Sequence, residues 1–476
     1  MRPHAPASEP APGTLTGPRT RVLKPLAICA ALLAPAASAV VMAQAPADLL
    51  IRNVRVVHGD GRVTPRATVV VRGAAITHVE AARQDRPAAA DPPARRVIDA
   101  SGKTMIPGLI DAHVHVEPWT PAVFLKYGVT TVRDLHSDAA AIFPMAKEES
   151  PARPRIVTSG PLIDGRGSFW KNAVQVATVG EARAAVRTQI DAGARVIKVY
   201  TRLEPALVAV IAAEARARGV PVAAHLGRTT AAQAAEAGVT SIEHLSGIAD
   251  SASDDPGRLL EAHDDFLGGW TAFELEWPRL SPARLEAVAR QLIERGVVIV
   301  PTLALHEAFS RLSDADLRRE PALADVPPEV LRGSWDPADI LGRARWTPDT
   351  LAQFKKSLPV LQRFVGMYAK LGGRIAAGTD TPQQFVVPGA SLHRELELFV
   401  ASGLSAAEAL RTATLGAAEL LGIQERVGTI DPGMAADFVL LDGDPLTDIR
   451  NTRKIALVVR GGVVLGIRDS GLGIRD

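Results

Sequence analysis

At 476 residues the chain is too long for one small domain and has room for a large barrel with a satellite module. Its 54 Lys+Arg against 52 Asp+Glu leave a net charge of +2, which excludes a polybasic partner for nucleic acid or for an anionic membrane surface. Hydrophobic residues at 47% and charged ones at 22% are the balance of a folded globular protein and exclude general disorder.

The first feature in chain order is an apolar run from Pro25 to Ala43, preceded by Arg19, Arg21 and Lys24. Small residues close it at Ala37-Ser38-Ala39 and again at Val41-Met42-Ala43. That order predicts a cleaved secretory signal over residues 1–43 and an exported, periplasmic or secreted protein with no membrane association after cleavage. A transmembrane anchor is the alternative, but Pro35 interrupts the run, which falls short of a span of ~20 residues. Attachment of a lipid at Cys29 fits poorly, because Ile28 sits where a small residue is needed. Cys29 is the only cysteine, so cleavage leaves none. Disulfides and thiol catalysis are then excluded, and any metal falls to His, Asp, Glu or Lys.

Leu49–Val57 and Thr68–Val79 alternate apolar and polar residues, with Gly59, Gly61 and Gly73 at the turns, which predicts strands and hairpins. The same texture returns at Asp437–Asp442 and Ile455–Leu465, where Arg460-Gly461-Gly462 supplies a turn. The two β-rich ends, 48–106 and 427–468, are expected to build one small composite β-sandwich.

Residues 107–426 have another rhythm, short apolar strands alternating with Ala-rich helices. Gly180–Gly193 reads as a helix with Ala182, Val186 and Ile190 on one stripe, and Pro205–Arg218 and Thr229–Ala237 repeat the pattern. Strands are expected at Met105–His115, Val129–Asp134, Arg155–Ser159, Val196–Tyr200, Val220–His225, Val239–His244, Val297–Thr302 and Arg374–Asp380. Eight such units predict an α/β fold with a (β/α)8 TIM barrel. Longer stretches near 250–296 and 306–370 predict helical insertions over the barrel mouth, where Trp270, Trp277, Trp335 and Trp346 fall.

Candidate site residues cluster at the C-terminal ends of these strands. His113 and His115 are two apart in a strand, so both imidazoles project to one side and can grip one cation; a solvated His pair at a strand end is the plainer alternative. In Val196–Tyr200, Ile197 and Val199 suit the apolar helix-facing side, which turns Lys198 inward. An unpaired ammonium inside a barrel is costly. Lys198 therefore snorkels, pairs with a carboxylate, forms a Schiff base, or takes up CO2 as a carbamate that can bridge two cations. His225, His244 and Asp380 each end a strand, and Ala223, Gly378 and Ala376 beside them leave room in the centre. Four imidazoles with oxygen ligands suit zinc or another borderline divalent ion.

With these residues in place, the sequence resembles the amidohydrolase superfamily. The likeness rests on Gly108-Leu-Ile-Asp-Ala-His-Val-His115, Lys198, His225, His244, Asp380 and the tail Gly428-Thr-Ile-Asp-Pro-Gly-Met-Ala-Ala-Asp437. Its nearest texture is the imidazolonepropionase-like and Xaa-Pro-dipeptidase-like branch. The resemblance implies a first metal on His113, His115 and Asp380, a second on His225 and His244, and carbamylated Lys198 with a hydroxide bridging them. It further implies Asp380 as proton acceptor and donor in cleavage of a C–N bond, in an amide, peptide or cyclic amide. A lactonase or esterase on the same centre, a non-catalytic metal-binding barrel and a Schiff-base aldolase are the competing readings. Deaminases of this superfamily carry an acid where this chain has Arg228, and they have little need of Lys198; both features point away from deamination. Arg228 is either a fork for a substrate carboxylate or a salt bridge at the rim. Tyr200 either hydrogen-bonds a substrate carbonyl or packs at the mouth, and His136, where the family pattern has glycine, either lines the pocket or is exposed. The expected partner is a small-molecule or dipeptide-like substrate, and a homo-oligomer stays open.

Overall fold

The structure, a computed structural model, describes residues 45–81, 92–467 and 473–475. The expected leader, with Cys29, lies outside the described residues, as do 82–91 and 468 within the two expected sandwich segments.

The N-terminal strands are β1 (Leu49–Val57), β2 (Val63–Arg72), β3 (Ala75–Ala81), β4 (Val97–Asp99) and β5 (Thr104–Pro107). Asn53, at a φ of 59°, breaks the register of β1. The half before it pairs with β4 through Leu50–Arg52, and the half after it with β5 through Arg55 and Val56.

The barrel strands are β6 (Leu109–Val114), β7 (Val129–Asp134), β8 (Arg155–Thr158), β9 (Ile163–Asp164), β10 (Val174–Gln175), β11 (Ile197–Val199), β12 (Val222–Ala224), β13 (Ser241–Glu243), β14 (Val298–Val300) and β15 (Arg374–Ile375). All neighbours are parallel, in two ladders: β6-β7-β8, and β10-β9-β11-β12-β13-β14-β15. The chain itself joins the ladders. Gly160-Pro161 splits the third barrel strand, so β8 pairs with β7 while its continuation β9 pairs with β11 at Val199. At the other seam the Ala112 N–H donates to the Ala377 carbonyl at 2.8 Å, and Val114 bridges Thr381. With β8 and β9 counted as one strand and β10 set aside as a short addition to β9, eight strands run round from one seam to the other, as in a TIM barrel.

Val129–Asp134 is reproduced from end to end, most of the other expected barrel strands are shorter by one to three residues, and two differ more. Met105–His115 is two strands, because Gly108 turns the chain where a Cβ would collide with Thr130; β5 then belongs to the terminal sheet and β6 to the barrel. Arg374–Asp380 holds ladder geometry only at Arg374–Ile375, since the N–H groups of Thr379 and Asp380 both turn to the His113 carbonyl. The helices fall where their caps direct. Val179–Ala192 begins in a capping box between Thr178 and Glu181 and stops at Gly193, whose φ is 121°.

The chain ends in β16 (Phe438–Leu441), β17 (Ile455–Arg460), β18 (Val463–Ile467) and β19 (Gly473–Arg475). β16 lies antiparallel to β5, with Phe438 opposite Pro107 and Leu441 opposite Thr104. Both chain ends therefore share one nine-stranded sheet that branches at β1 and encloses a core of Ile51, Val69, Phe438, Leu440 and Val459. Among the described residues no helix is long and apolar enough to cross a membrane.

His393, on the helix Ala390–Ala401, ties the barrel to the C-terminal segment. It lies 3.1 Å through Nε2 from the Tyr127 carbonyl and 3.0 Å through Nδ1 from the Thr452 hydroxyl. A carbonyl only accepts, so Nε2 carries the hydrogen. Burial, helped by Arg453, pushes its pKa down to about 3 from 6.5. Below pH 6.5 the unfolded chain binds a proton that the folded one refuses, so stability falls as pH drops toward 3, by up to ~1.4 kcal/mol per pH unit. Urea unfolding at pH 7, 6 and 5 is expected to show this slope, and His393→Gln is expected to remove this residue's share.

Candidate active site

The sequence-derived ligands lie at or near the C-terminal ends of barrel strands, with Asp380 five residues beyond β15. His113 is the fifth residue of β6 and His115 follows the strand; His225 follows β12 and His244 follows β13. Lys198 is the middle residue of β11, with its inward register neighbour Ala223 on β12. Alternation alone would turn His244 outward with Ile242. A left-handed backbone at His244 (φ 58°) turns it in, and Asp380, on the same inward face as Gly378, is left-handed too (φ 62°). Non-glycine residues held there cost about 1–3 kcal/mol each and gather at functional sites. Gly378 allows the close approach of Asp380's segment to β6, because a Cβ there would stand 2.9 Å from the His113 nitrogen.

The imidazoles converge on Asp380. Its Oδ1 is 3.1 Å from His113 Nε2 and 2.8 Å from His115 Nε2, and its Oδ2 is 3.9 Å from His244 Nε2. Ligand atoms of His113, His244 and Asp380 all lie within 4.8 Å of one another, close enough to hold one cation. His225 stands edge-on to His244, 4.7 Å between ring centres. The second nitrogens are tied down behind this cluster. His113 Nδ1 meets Glu243 at 2.8 Å, His115 Nδ1 the His136 carbonyl at 3.1 Å, and His244 Nδ1 the Thr302 hydroxyl at 2.8 Å. A carbonyl partner at Nδ1 leaves the His115 Nε2 lone pair free for a metal, the arrangement usual behind metal-bound histidine.

Lys198 is 1% exposed, and its Nζ has no hydrogen-bond partner among the described residues. Burial brings its pKa down to about 8; Glu243 and Asp380 oppose that shift and Arg133 adds to it. Asp380 is held well below the usual carboxylate range: burial pushes the other way, but His244 and His113 outweigh it. An orphaned buried amine beside four imidazoles and an aspartate is a donor set that fits a pair of divalent cations.

Sequence reading missed Glu243 and Arg133. Glu243, fully buried, receives Arg133 at 2.8 and 3.0 Å, Ser241 at 2.6 Å and His113. Burial alone would raise its pKa, but Arg133 and His113 bring it down to about 2. The signal was available. Val132 separates Thr131 from Arg133 and Ile242 separates Ser241 from Glu243, so each polar pair shares one face of its strand, opposite an apolar residue.

A cavity of about 640 Å³ opens above the cluster, walled by Phe169, Trp170, Tyr200, Phe266, Trp270 and Phe309. Tyr200 borders it, 4.8 Å from His225, with Trp170 as hydrogen-bond partner. His136 borders it too; its Nδ1 accepts the Leu162 N–H at 3.1 Å, and burial first, then His115, hold its pKa down at about 3. Trp270 and Trp335 border the cavity, whereas Trp277 and Trp346 are buried in packing. Of the two readings of Arg228, the structure has the rim salt bridge and not the substrate fork: the residue does not border the cavity, and its guanidinium is engaged by Glu204 at 3.2 Å and by Asp264. Carboxylates on both sides at the rim explain that placement.

Glu243→Gln leaves Arg133 buried without a counter-charge and is expected to cost about 3–5 kcal/mol of stability in urea unfolding. Adding Arg133→Met to that variant is expected to recover part of the loss.

Known proteins share this architecture. In sequence, ochratoxinase of Aspergillus niger is 26% identical over 330 residues, 65% of this chain and 52% of its own, so the chain spans about half the length of that relative. Its crystal structure superposes with a TM-score of 0.63 at 20% identity, over 89% of this chain and 97% of that one. A Bifidobacterium longum protein, proposed to be a prolidase, superposes with a TM-score of 0.64 at 25% identity, over 88% and 95% of the two chains. A Xaa-Pro dipeptidase with bound methionine gives 0.63 at 21% identity, over 88% and 99%. The profile of the Amidohydrolase family matches residues 122–465, well over half of the sequence, and the chain belongs to that family.

Proposed function

We propose that the chain is an exported binuclear amidohydrolase that cleaves a C–N bond in a small amide, dipeptide-like or cyclic amide substrate. Two divalent ions, zinc by the donor set, would be held by His113, His115, His225, His244 and Asp380, with Lys198 as its CO2-derived carbamate between them. The observation that carries this reading is the Lys198 amine, buried and unpartnered in a layer of imidazoles. With its pKa near 8, a useful share is neutral at physiological pH. The neutral amine attacks CO2, an N–C bond forms and a proton leaves to solvent, giving an anionic two-oxygen side chain. Export is supported by the charge, apolar run and small-residue exit ahead of residue 44.

When bound, the cations would supply hydroxide near neutral pH and polarise the scissile carbonyl. The chain's own groups do the rest. Asp380, ionised and central to the cluster, takes the proton released during attack and passes it to the leaving nitrogen. Burial keeps the Tyr200 phenol protonated beside His225, where it can donate to a substrate oxygen. His136, with Nδ1 occupied, keeps its hydrogen on Nε2. The aromatic walls exclude bulk water, and their apolar area favours a substrate with large apolar groups on either side of the bond.

Purified protein is expected to hold divalent metal and to hydrolyse members of a dipeptide and N-acyl-amino-acid panel. Activity is expected to fall on chelation and to return with zinc and bicarbonate together, and a carbamate carbon is expected in NMR after labelled bicarbonate. Asp380→Asn is expected to lower kcat by about 10²–10⁴-fold with little change in KM. Faster turnover of a matched ester than of its amide would replace this assignment with a lactonase or esterase.

A further inference from the structure

Three of the four imidazoles have their second nitrogen held by protein, through Glu243, the His136 carbonyl and Thr302. The His225 ring has ring contacts with Tyr200, His244, Phe266 and Trp270 but no hydrogen bond to any described residue, although a metal-bound histidine almost always gives its other N–H to an acceptor. Beside it lies a small void of about 10 Å³ bordered by His225, His244, Thr201, Ser246 and His263. That is the room one water needs, and the polar groups around it are enough to hold one.

A second anomaly lies on the far side of His263. Asp250 is 2% exposed, and neither carboxylate oxygen has a hydrogen-bond partner among the described residues. His263 Nε2 is 3.7 Å from its Oδ1. A buried carboxylate without support is costly, and such groups in native structures have a reason. His263 is itself wedged in place, because a Cβ on Gly269 of the helix Phe266–Glu276 would collide with its Nδ1.

We propose that one ordered water in this void links the His225 N–H to His263, with Asp250 fixing His263 from behind. His263 and Asp250 are then positioning residues for the cation site that His225 serves, the counterpart of Glu243 behind His113. The inference rests on the metal reading given under Proposed function and deepens it. It also accounts for an unpartnered imidazole and an unpartnered carboxylate with one arrangement.

The test is metal retention, read by elemental analysis after equilibration with graded chelator, in wild type, His263→Leu and Asp250→Asn. Wild type is expected to keep two zinc ions, and each variant to lose one of them at ~10–100-fold lower chelator concentration. The metal-free variants are expected to melt no lower than metal-free wild type, which separates the effect from general destabilisation. Should His263→Leu fail to fold, Asp250→Asn, which keeps the side-chain shape, decides. Wild-type chelator midpoints in the folded variants overturn this inference alone, whereas a wild type that binds no divalent ion overturns the metal reading and this inference together. A high-resolution diffraction map with water at hydrogen-bond distance from both His225 and His263 supports it; a side chain filling the void overturns it.

Discussion

Charge sealed inside a cylinder of parallel strands has to be answered by charge, and that constraint organises the centre of this molecule. Arg133, Lys198, Glu243 and Asp380 all lie inside the barrel, nearly or wholly buried. Glu243 answers Arg133 directly and uses its remaining capacity on His113 and Ser241. Asp380 is answered by the imidazoles around it. Lys198 alone is left without a hydrogen bond, and its depressed basicity is the mark of that isolation. Once the pair Arg133–Glu243 is in place, the orientation of His113 follows, and with it the direction of the Nε2 that meets Asp380.

Much of this was legible in the sequence, and the exceptions have physical causes. The inward turn of Lys198 followed from strict alternation with Ile197 and Val199. The same alternation applied to Arg133 and Glu243, but a charged residue near a strand end reads as a solvent contact until the closed barrel is known. Asp380 was placed on the inward face with Ala376 and Gly378, and His244 at a strand end, yet alternation does not explain how His244 turns inward. That depends on left-handed backbone, which an L-residue adopts only when its surroundings impose it. Phe169 and Trp170 lie in the connection from residue 159 to 178, which has no periodicity to reveal a pocket wall. Arg228 carried no sequence signal of Asp264, 36 positions away, which holds it at the rim.

The site is held by backbone as much as by side chains. Asp111 receives the N–H groups of His113 and Thr379 together with the Thr379 hydroxyl, at 2.7–3.2 Å, which fastens β6 to the segment carrying Asp380. Glu395 receives the N–H groups of Leu303 and Ala304 and so fixes the turn at Thr302, whose φ is 50° and whose hydroxyl meets His244. The left-handed residues are thus supported from outside the cluster, and their strain is offset by bonds that also set the direction of the ligands.

The branched sheet has a consequence for how the chain matures. β5 finds its partner β16 only after more than three hundred intervening residues have been synthesised. Contacts at such separation carry a large loop-closure cost and arrive late. Until the C-terminal strands arrive β5, which pairs with β16, and β4, which pairs with β19, present bare edges, a hazard for mispairing with neighbouring chains. That lateness withholds the final clasp of the sheet until the last strands have been made, so the two ends of the chain are joined only once the barrel sequence between them is complete.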